Sequence, residues 1–334
     1  MKALILEKYN EAFQLKDIEK PNVTKGQVLV KIKASSVNPI DLKIKMGQAA
    51  HAKTVLPAIL GIDMAGVIEA VGEDVTDFVI GDEVYGMTGG IAGIQGSLAE
   101  YAAVDADLLA IKPKNLTMKE AAAIPLVFIT AWEGLVDRAN VRAGNTVLIH
   151  GGAGGVGHIA IQIAKAKSAH VFTTVNPDKN EMILTYGATP IDYKNTSVEV
   201  YVDRHTDGAG FDIIYDTVGG DILDASFKAA KQYSGHVLSI LGWGTHNLAP
   251  LSFHGATYSG VFALYPLISG KSRKHHGNIL RAATQLIEEG KVFPLVDPRY
   301  YSLETIAKAY HDQEQRIAEG KVVIEVNQEI KPFT

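Results

Sequence analysis

The 334-residue sequence contains no cysteine. Disulfides, thiolate nucleophiles and every cysteine-based zinc or iron–sulfur site are therefore excluded, and any redox chemistry must come from a bound cofactor. No basic block is long enough for a nucleic-acid surface, since 32 Lys and Arg stand against 37 Asp and Glu. No apolar run approaches the roughly 18 residues that cross a bilayer. These absences favour a cytoplasmic protein that binds small molecules rather than nucleic acid or membrane.

A glycine-rich turn is the most informative feature that is present. The residues Gly152-Ala153-Gly154-Gly155-Val156-Gly157 follow the apolar run Val147-Leu148-Ile149 and open a stretch with helical periodicity. A strand, a glycine turn and a helix start in this order form a pyrophosphate-binding site, because free backbone N–H groups face the phosphates. Gly152 is expected to permit the tight turn, Gly154 the close approach of the ligand, and Gly157 the packing of helix on strand.

The elements around this turn predict a doubly wound α/β domain. Strands and helices alternate after Asn145, which implies parallel strands joined by helical crossovers. The predicted strands are Val147–Ile149, His170–Val175, Pro190–Tyr193, Phe211–Tyr215 and His236–Leu241, and the predicted helices are Val156–Lys167 and Asp178–Tyr186.

The remainder of the chain has another pattern. Up to about Leu116 it consists of short β-like segments punctuated by glycines. After about Leu264 the sequence predicts a helix near Asn278–Glu289, another after Ser302 as a good N-cap, and a last strand at Lys321–Val326. The length exceeds that at which one core usually stops growing, so we expect two domains. The predicted limits are 1–122 for a β-rich domain, 123–264 for a dinucleotide-binding domain and 265–334 for a return to the first domain.

Seven ordered motifs are more specific together than any one of them. They are Val37-Asn38-Pro39-Ile40-Asp41, Leu60-Gly61-Ile62-Asp63-Met64-Ala65-Gly66, Val79-Ile80-Gly81-Asp82-Glu83-Val84, Thr130-Ala131-Trp132, the glycine turn, Asp216-Thr217-Val218-Gly219 and Gly320-Lys321-Val322-Val323. Nearly end to end, this set resembles the zinc-independent quinone oxidoreductase-like branch of the medium-chain dehydrogenase/reductase superfamily.

The resemblance implies a GroES-like β-rich catalytic domain, resumed at the C-terminus, and a Rossmann doubly wound parallel-sheet domain, with an active-site cleft between them. It also implies a homodimer, often made by joining the edge strands of two Rossmann sheets. The candidate edge here is Tyr258–Leu264.

The resemblance also bears on metal. In similar zinc alcohol dehydrogenases the metal is held by a Cys and by the His of a Gly-His-Glu motif, and the matching positions here are Asn38 and Ile62. Catalytic zinc needs about three protein ligands, and an isoleucine supplies none. We therefore expect no functional metal.

Without a Lewis acid, hydride removal from a simple alcohol is difficult, whereas delivery of hydride to a quinone or an α,β-unsaturated carbonyl chiefly needs orientation and exclusion of water. The leading hypothesis is therefore an NADPH-dependent reductase of quinones or enones. Two alternatives stay open, an alcohol dehydrogenase-like enzyme that has lost zinc and a non-catalytic NADPH-binding protein of the crystallin or sensor type.

The choice of NADP(H) rests on the end of the second predicted strand. NAD-specific folds usually place an acid there to bind the ribose hydroxyls, whereas this strand ends at Asn176, which is neutral and can donate to a phosphate. Lys179 and Tyr193 resemble the family's phosphate-contacting positions, although Lys179 could be a solvated residue of a first helical turn. Asp178 could be mistaken for the ribose acid, but its place after Pro177 predicts a helix N-cap.

By resemblance, the reacting end involves Asn38, Asp41 and Lys43. Asn38 is the candidate hydrogen-bond donor to a substrate carbonyl, with capping of its own loop before Pro39 as the alternative. Asp41 could contact substrate or orient backbone. Many similar quinone reductases carry a Tyr two residues after this Asp, whereas this chain has Lys43, which could polarise an oxygen or simply be exposed.

The predicted cofactor contacts extend beyond the residues already discussed. By resemblance, Thr130 lies below the nicotinamide, and the backbone passes along the cofactor at three further positions. The full predicted set is Thr130, Gly152, Gly154, Gly155, Val156, Gly157, Asn176, Lys179, Tyr193, Val218, Gly242 and Phe262.

Overall fold

The structure, a computed structural model, describes residues 1–326. Its contacts divide into two compact units. Among the described residues, the first comprises Met1–Leu126, Leu264–Gly290 and 294–326, and the second comprises Val127–Ala263 and Lys291–Phe293. Compact contact units need not coincide with folding domains, so the limits 1–122, 123–264 and 265–334 stay a prediction.

The first unit is rich in short strands. They are β1 (Lys2–Leu6), β2 (Gln14–Asp17), β3 (Gln27–Ser36), β4 (Ala58–Ile59), β5 (Asp63–Val71), β6 (Glu83–Met87), β7 (Tyr101–Asp105), β8 (Leu109–Ile111), β15 (Tyr301–Ser302) and β16 (Val323–Glu325). One sheet has the order β2-β1-β4, and a seven-stranded sheet has the order β15-β16-β3-β5-β6-β8, with β7 also paired to β3. Alternate apolar residues of β3, Val28, Val30 and Ile32, point into one buried cluster.

Helices complete the first unit. They are α1 (Pro39–Lys45), α2 (Met118–Ala122), α9 (Tyr265–Ser269), α10 (Arg273–Glu288) and α11 (Ile306–Glu314), with 3-10 helices at Ala50–Ala52 and Ala106–Leu108. The prediction that Ser302 caps the last helix is wrong. Thr305 is the N-cap residue of α11, and its hydroxyl accepts the backbone N–H of Ser302 at 2.8 Å in a turn that precedes the helix.

The second unit is a parallel α/β layer structure. Its strands are β9 (Thr146–His150), β10 (His170–Val175), β11 (Thr189–Asp192), β12 (Ile213–Asp216), β13 (His236–Ser239) and β14 (Thr257–Gly260). Helix α3 (Pro125–Trp132) begins in the last two residues of the first unit's opening segment and continues into the second unit, with a π-helical continuation at Glu133–Arg138. The other helices of the second unit are α4 (Gly155–Ala166), α5 (Asn180–Thr185), α6 (Val198–Thr206), α7 (Asp221–Ala229) and α8 (Ala249–His254), plus a 3-10 helix at Pro177–Lys179.

The sheet order confirms the predicted fold class. All neighbours are parallel, in the order β11-β10-β9-β12-β13-β14. Counted within the unit this is the order 3-2-1-4-5-6 of a doubly wound Rossmann sheet, whose switch point lies between β9 and β12. Leu148, Ile214 and Val237 on three adjacent strands share one buried cluster with Phe211 and Phe227. Ligands bind such sheets at the carboxyl ends of the strands, beside the switch point.

Two details of the helices differ from the prediction. The predicted helix Asp178–Tyr186 is divided into the 3-10 helix at Pro177–Lys179 and α5. Helix α10 begins at Arg273, earlier than the predicted Asn278. Within residues 1–326, no helix is both long and apolar enough to cross a membrane.

Candidate functional site

The glycine turn connects β9 to α4 at the switch point. Gly151 has a φ of +78°, so Gly151 is the left-handed residue of the turn. Gly152 is required for a different reason, because a Cβ there would lie far inside contact distance of the Thr173 hydroxyl on β10. A Cβ on Gly157 would collide with the carbonyl of Gly151, so glycine at this position lets the first turn of α4 pack against the turn that precedes it.

The geometry of this turn fits a dinucleotide pyrophosphate. A Cβ on Gly154 would meet only the carbonyl oxygen of Gly151 within 4 Å, at 3.2 Å, so this side of the backbone is otherwise open. Gly154 is the N-cap of α4, and among the described residues no side chain caps the helix. The first N–H groups of an uncapped helix need acceptors, and phosphate oxygens can supply them.

Asn176 lies at the end of β10, where adenosine ribose is bound in this fold class. Its Oδ1 is buried and has no hydrogen-bond partner in the described part of the chain. An unpartnered buried acceptor is costly, and a ribose hydroxyl could satisfy it. The neutral amide also lacks the negative charge that would repel a 2′-phosphate.

The residues that follow Asn176 are exposed. Lys179 is about half exposed, and its Nζ lies 3.9 Å from Oδ2 of the exposed Asp178. The prediction that Asp178 caps a helix is wrong, because it lies inside the 3-10 helix, while Lys179 holds the N-cap position of α5. Tyr193 directly follows β11 and is also exposed. Lys179 and Tyr193 are free to reach a phosphate, and their contact with one stays a prediction.

The other predicted cofactor residues lie at several places in the second unit. Val218 and Phe262 are partly exposed after β12 and β14 respectively. Gly242 follows β13, and a Cβ there would collide with the Tyr258 hydroxyl. Thr130 is buried in α3, where its carbonyl accepts the Tyr215 hydroxyl at 2.6 Å. Val218 and Gly242 follow strand carboxyl ends, as the fold class requires of ligand contacts.

In the first unit, the predicted reacting-end residues belong to a buried polar network. Asn38 is the N-cap residue of α1 and has no exposed surface. Its Nδ2 donates to Oδ2 of Asp63 at 2.9 Å, and its Oδ1 accepts the ammonium of Lys321. Because an ammonium only donates hydrogen bonds, this pair fixes which way the amide points. One amide hydrogen is bonded to Asp63, and the proposed contact of Asn38 with substrate stays a prediction.

Asp63 is the centre of this network. Its carboxylate accepts the Ser36 hydroxyl at 2.8 Å and the backbone N–H of Leu126 at 2.8 Å, in addition to the Asn38 amide. The Lys321 ammonium lies 3.7 Å from it, and both side chains are buried. Burial raises the pKa of Asp63 and lowers that of Lys321, against their mutual attraction. The roles of Asp63 and Lys321 in this network were not predicted. The signal that could have revealed them is that each is a charged residue within an otherwise apolar motif.

Asp41 is held in the first turn of α1. Its Oδ2 accepts the backbone N–H of Asn38 at 2.8 Å, as expected of a residue that orients backbone. Its Oδ1 has no partner within residues 1–326. Burial raises the pKa of Asp41 to about 7, with a further contribution from the charge of Asp63. Lys43, two residues along the same helix, has an exposed side chain. The catalytic roles of Asp41 and Lys43 stay predictions.

The sequence matches two known families. The family described as "Alcohol dehydrogenase GroES-like domain" matches residues 24–114, and the family described as "Zinc-binding dehydrogenase" matches residues 186–324. The chain is 35% identical over 335 residues to an NADPH-dependent alkenal/one oxidoreductase, chloroplastic, of Arabidopsis thaliana, covering 97% of this chain and 79% of that protein. The chain belongs to the medium-chain dehydrogenase/reductase superfamily. This membership confirms the predicted family.

Other members of the superfamily agree over the whole chain. A quinone oxidoreductase of Sus scrofa is 33% identical over 315 residues, covering 92% of each chain. The crystal structure of an alcohol dehydrogenase superfamily protein from Novosphingobium aromaticivorans has a TM-score of 0.96 and 52% sequence identity, covering 98% of this chain and 100% of that one. The predicted combination of a GroES-like domain and a Rossmann domain is thereby confirmed.

The zinc named in one family description does not fit the residues of this member. Ile62 is buried and offers no ligand atom, and both ends of the Asn38 amide are bonded within the protein. Among the described residues, no three or more His, Cys, Asp or Glu side chains are grouped so that they could hold an ion. No step of the chemistry is therefore assigned to zinc.

We predict that Lys321→Met destabilises the protein by about 3–5 kcal/mol, because it leaves Asp63 buried without its cation. The double variant Asp63→Asn with Lys321→Met should lose less than the sum of the two single effects, since no uncompensated charge remains. Urea unfolding of all three variants measures this coupling. Lys31→Met is the matched control, because Lys31 pairs with Glu69 at 3.9 Å near the surface, and it should cost less than about 1 kcal/mol. Additive single effects would contradict the prediction.

We predict that Asp41→Asn alters how stability depends on pH. The raised pKa of Asp41, about 7 in the folded protein, means that the native state keeps a proton which the unfolded chain releases near pH 4. The contribution of Asp41 to the free energy of unfolding should therefore fall as pH rises from about 4 to 7, and should be constant above that range. Denaturant unfolding at several pH values should show the wild type losing stability relative to Asp41→Asn over this range. Parallel profiles would refute the assignment.

Proposed function

We propose that this superfamily member is an NADPH-dependent oxidoreductase that delivers hydride to α,β-unsaturated carbonyl compounds or quinones without a metal ion. The observation that carries the proposal is the uncapped, glycine-lined start of α4 at the switch point of the parallel sheet, together with the neutral Asn176 at the end of β10. The relatives named for NADPH-dependent alkenal/one reduction and for quinone reduction support the same reaction class.

When bound, NADPH supplies the hydride and its nicotinamide carries the redox change. The protein binds the cofactor through the glycine turn and through Asn176, Lys179 and Tyr193. Thr130, Val218, Gly242 and Phe262 are proposed as further cofactor contacts. The predicted role of the protein is mainly orientation, because charge that develops on an enone or quinone is delocalised onto its oxygen.

At the reacting end, we assign three roles to residues of α1 and its cap. The second amide hydrogen of Asn38 is proposed to donate to the acceptor oxygen, which requires this buried amide to become accessible when substrate binds. The exposed ammonium of Lys43 is proposed to polarise the same oxygen. Asp41, with a pKa raised to about 7, can hold a proton near neutral pH. The absence of an aromatic residue at position 43 removes a stacking surface for a flat quinone, which favours enones among the two substrate classes.

We predict that purified protein oxidises NADPH with a small enone or a small quinone, and that it does so in the presence of a chelator. Simple alcohols with NADP⁺ should give no turnover, because no metal is available to stabilise an alkoxide. Loss of NADPH absorbance measures the first reaction, and gain of absorbance measures the second. Tight NADPH binding without turnover of any acceptor would favour the non-catalytic alternative, and alcohol oxidation would favour the dehydrogenase alternative.

The contribution of Lys43 has its own control. Lys43→Met should lower kcat/KM for the best acceptor by about tenfold, as expected for the loss of one charged contact. Lys45→Met, in the same helix, should change it by less than about twofold. Equal effects of the two substitutions would remove Lys43 from the active site.

Asn176→Asp tests the cofactor preference. A carboxylate at this position should repel the 2′-phosphate, so the dissociation constant for NADPH should rise at least about tenfold while that for NADH changes little or falls. Calorimetric titration with both cofactors measures the change. Asn247→Asp is the control, since it introduces the same charge at an exposed loop position of the same unit. Equal weakening of NADPH and NADH would contradict the role of Asn176 in discrimination.

We also propose a cytoplasmic homodimer with no nucleic-acid or membrane partner. In support of the dimer, β14 is the last strand of its sheet, and Tyr233 and Phe253 near it are 92% and 86% exposed. An edge strand beside exposed aromatic side chains suits pairing with a second copy. Light scattering at the mass of a monomer would contradict it.

A further inference from the structure

The motif Asp216-Thr217-Val218-Gly219 contains a buried carboxylate that the chemistry above does not use. Asp216 is the last residue of β12 and has no exposed surface. Its Oδ1 accepts the backbone N–H of Val218 at 3.0 Å and that of Gly219 at 2.9 Å, and its Oδ2 accepts the Ser239 hydroxyl at 2.7 Å. The carboxylate therefore holds the backbone of the loop that follows its own strand.

The same group of side chains joins the carboxyl ends of three adjacent strands. Ser239 stands directly opposite Asp216 in the register of β13, and its Oγ also accepts the backbone N–H of Leu241 at 3.1 Å. Thr217 donates its hydroxyl to the carbonyl of His150, the last residue of β9, at 2.6 Å. The backbone groups bonded in this way belong to His150, just before the glycine turn, to Val218 in the loop after β12, and to Leu241, just before Gly242.

The charge of Asp216 has no cationic partner that would explain it as an ordinary ion pair. Within residues 1–326, no lysine or arginine forms a salt bridge with it, and His150 lies opposite it on β9. Burial lowers the pKa of His150 to about 4, so this imidazole is neutral at pH 7. A buried carboxylate without a cation is costly unless hydrogen bonds satisfy it. The Gly219 N–H also reaches Oδ2, at 3.2 Å. All four bonds that satisfy the carboxylate come from a strand end or from the loop that follows its strand, and none comes from the apolar core.

We propose that Asp216 and Thr217 are positioning residues for bound NADP(H). Asp216 fixes loop 217–219, and Thr217 fixes the entry to the glycine turn, so that the cofactor meets preformed backbone. The inference rests on the proposed function, because it requires NADP(H) to be the ligand. Its energetic basis is preorganisation: a loop already ordered before binding loses less conformational entropy when the ligand arrives.

The test compares Asp216→Asn, Thr217→Val and Thr217→Ser. In Asp216→Asn the amide oxygen can still accept the two N–H groups that Oδ1 accepts, but the NH₂ that replaces Oδ2 cannot accept the Ser239 hydroxyl or the second contact from Gly219, and the charge that strengthens all of these bonds is lost. Asp216→Asn should raise the dissociation constant for NADPH about tenfold, and Thr217→Val should raise it about fivefold. Thr217→Ser keeps the hydroxyl and should restore binding to within about twofold. Thr146→Val is the matched control, because it removes a hydroxyl bonded at the amino end of β9, and it should leave binding unchanged.

Two further readouts separate positioning from general stability. In the free protein, the amides of Val218 and Gly219 should exchange hydrogen faster in Asp216→Asn than in wild type. In steady-state kinetics, the KM for NADPH should rise, while kcat at saturating NADPH should stay within about twofold of that of the wild type. Binding of NADPH by Asp216→Asn and Thr217→Val within twofold of wild type would overturn the proposal, as would a fall in kcat at unchanged NADPH affinity. If Asp216→Asn does not fold, the pair Thr217→Val and Thr217→Ser decides.

The outcomes are distinguishable from failure of the proposed function. A wild type that binds NADPH but reduces no acceptor defeats the proposed activity, while the binding constants still decide the role of Asp216 and Thr217. A wild type that binds neither NADPH nor NADH in calorimetry overturns both.

Discussion

Parallel pairing of β9 with β12 is the constraint on which the proposed chemistry depends. It brings His150, the last residue of β9, opposite Asp216, the last residue of β12, so both chains leave the sheet at one edge. From this edge one segment becomes the glycine turn and the other becomes loop 217–219. Neither segment has regular hydrogen bonding of its own, and each is therefore held by side chains from the strand ends.

Local patterns predicted much of the second unit. The limits of β10 agree with the sequence prediction, and α4 lies within a residue of it, because strand length, apolar periodicity and glycine punctuation all act over a few neighbouring residues. The tail was predicted less well. Ser302 and Asp178 are of residue types that commonly cap helices. In the structure, however, Thr305 is the N-cap residue of α11, and Asp178 lies within a 3-10 helix. Several residue types can cap, so tertiary packing selects among them.

The network around Asn38 shows what local patterns could not supply. Lys321 bonds Asn38 across 283 positions of the chain, and nothing in the residues near either one indicates the other. The resemblance to a family placed Asn38 and Asp41 near the chemistry, whereas the buried contacts reveal what holds them. The need for glycine at position 152 is also non-local: a Cβ there would meet the Thr173 hydroxyl on β10, and nothing in the residues beside Gly152 indicates that contact.

Asp63 and Asp216 have similar roles in different units, because each fixes the position of backbone N–H groups with a buried carboxylate. Each is a fully buried carboxylate that accepts a serine hydroxyl together with backbone N–H groups: Asp63 accepts that of Leu126 in the first turn of α3, and Asp216 accepts those of Val218 and Gly219. Asp63 also has an ammonium near it, whereas no ion pair joins Asp216 to a lysine or arginine in the part of the chain that the structure describes. A charged acceptor forms stronger hydrogen bonds than a neutral one, so it can fix irregular backbone where a strand or helix would block ligand. An apolar residue at either position would stabilise the protein more. The buried acid instead gives the backbone a defined geometry at a place where function is proposed.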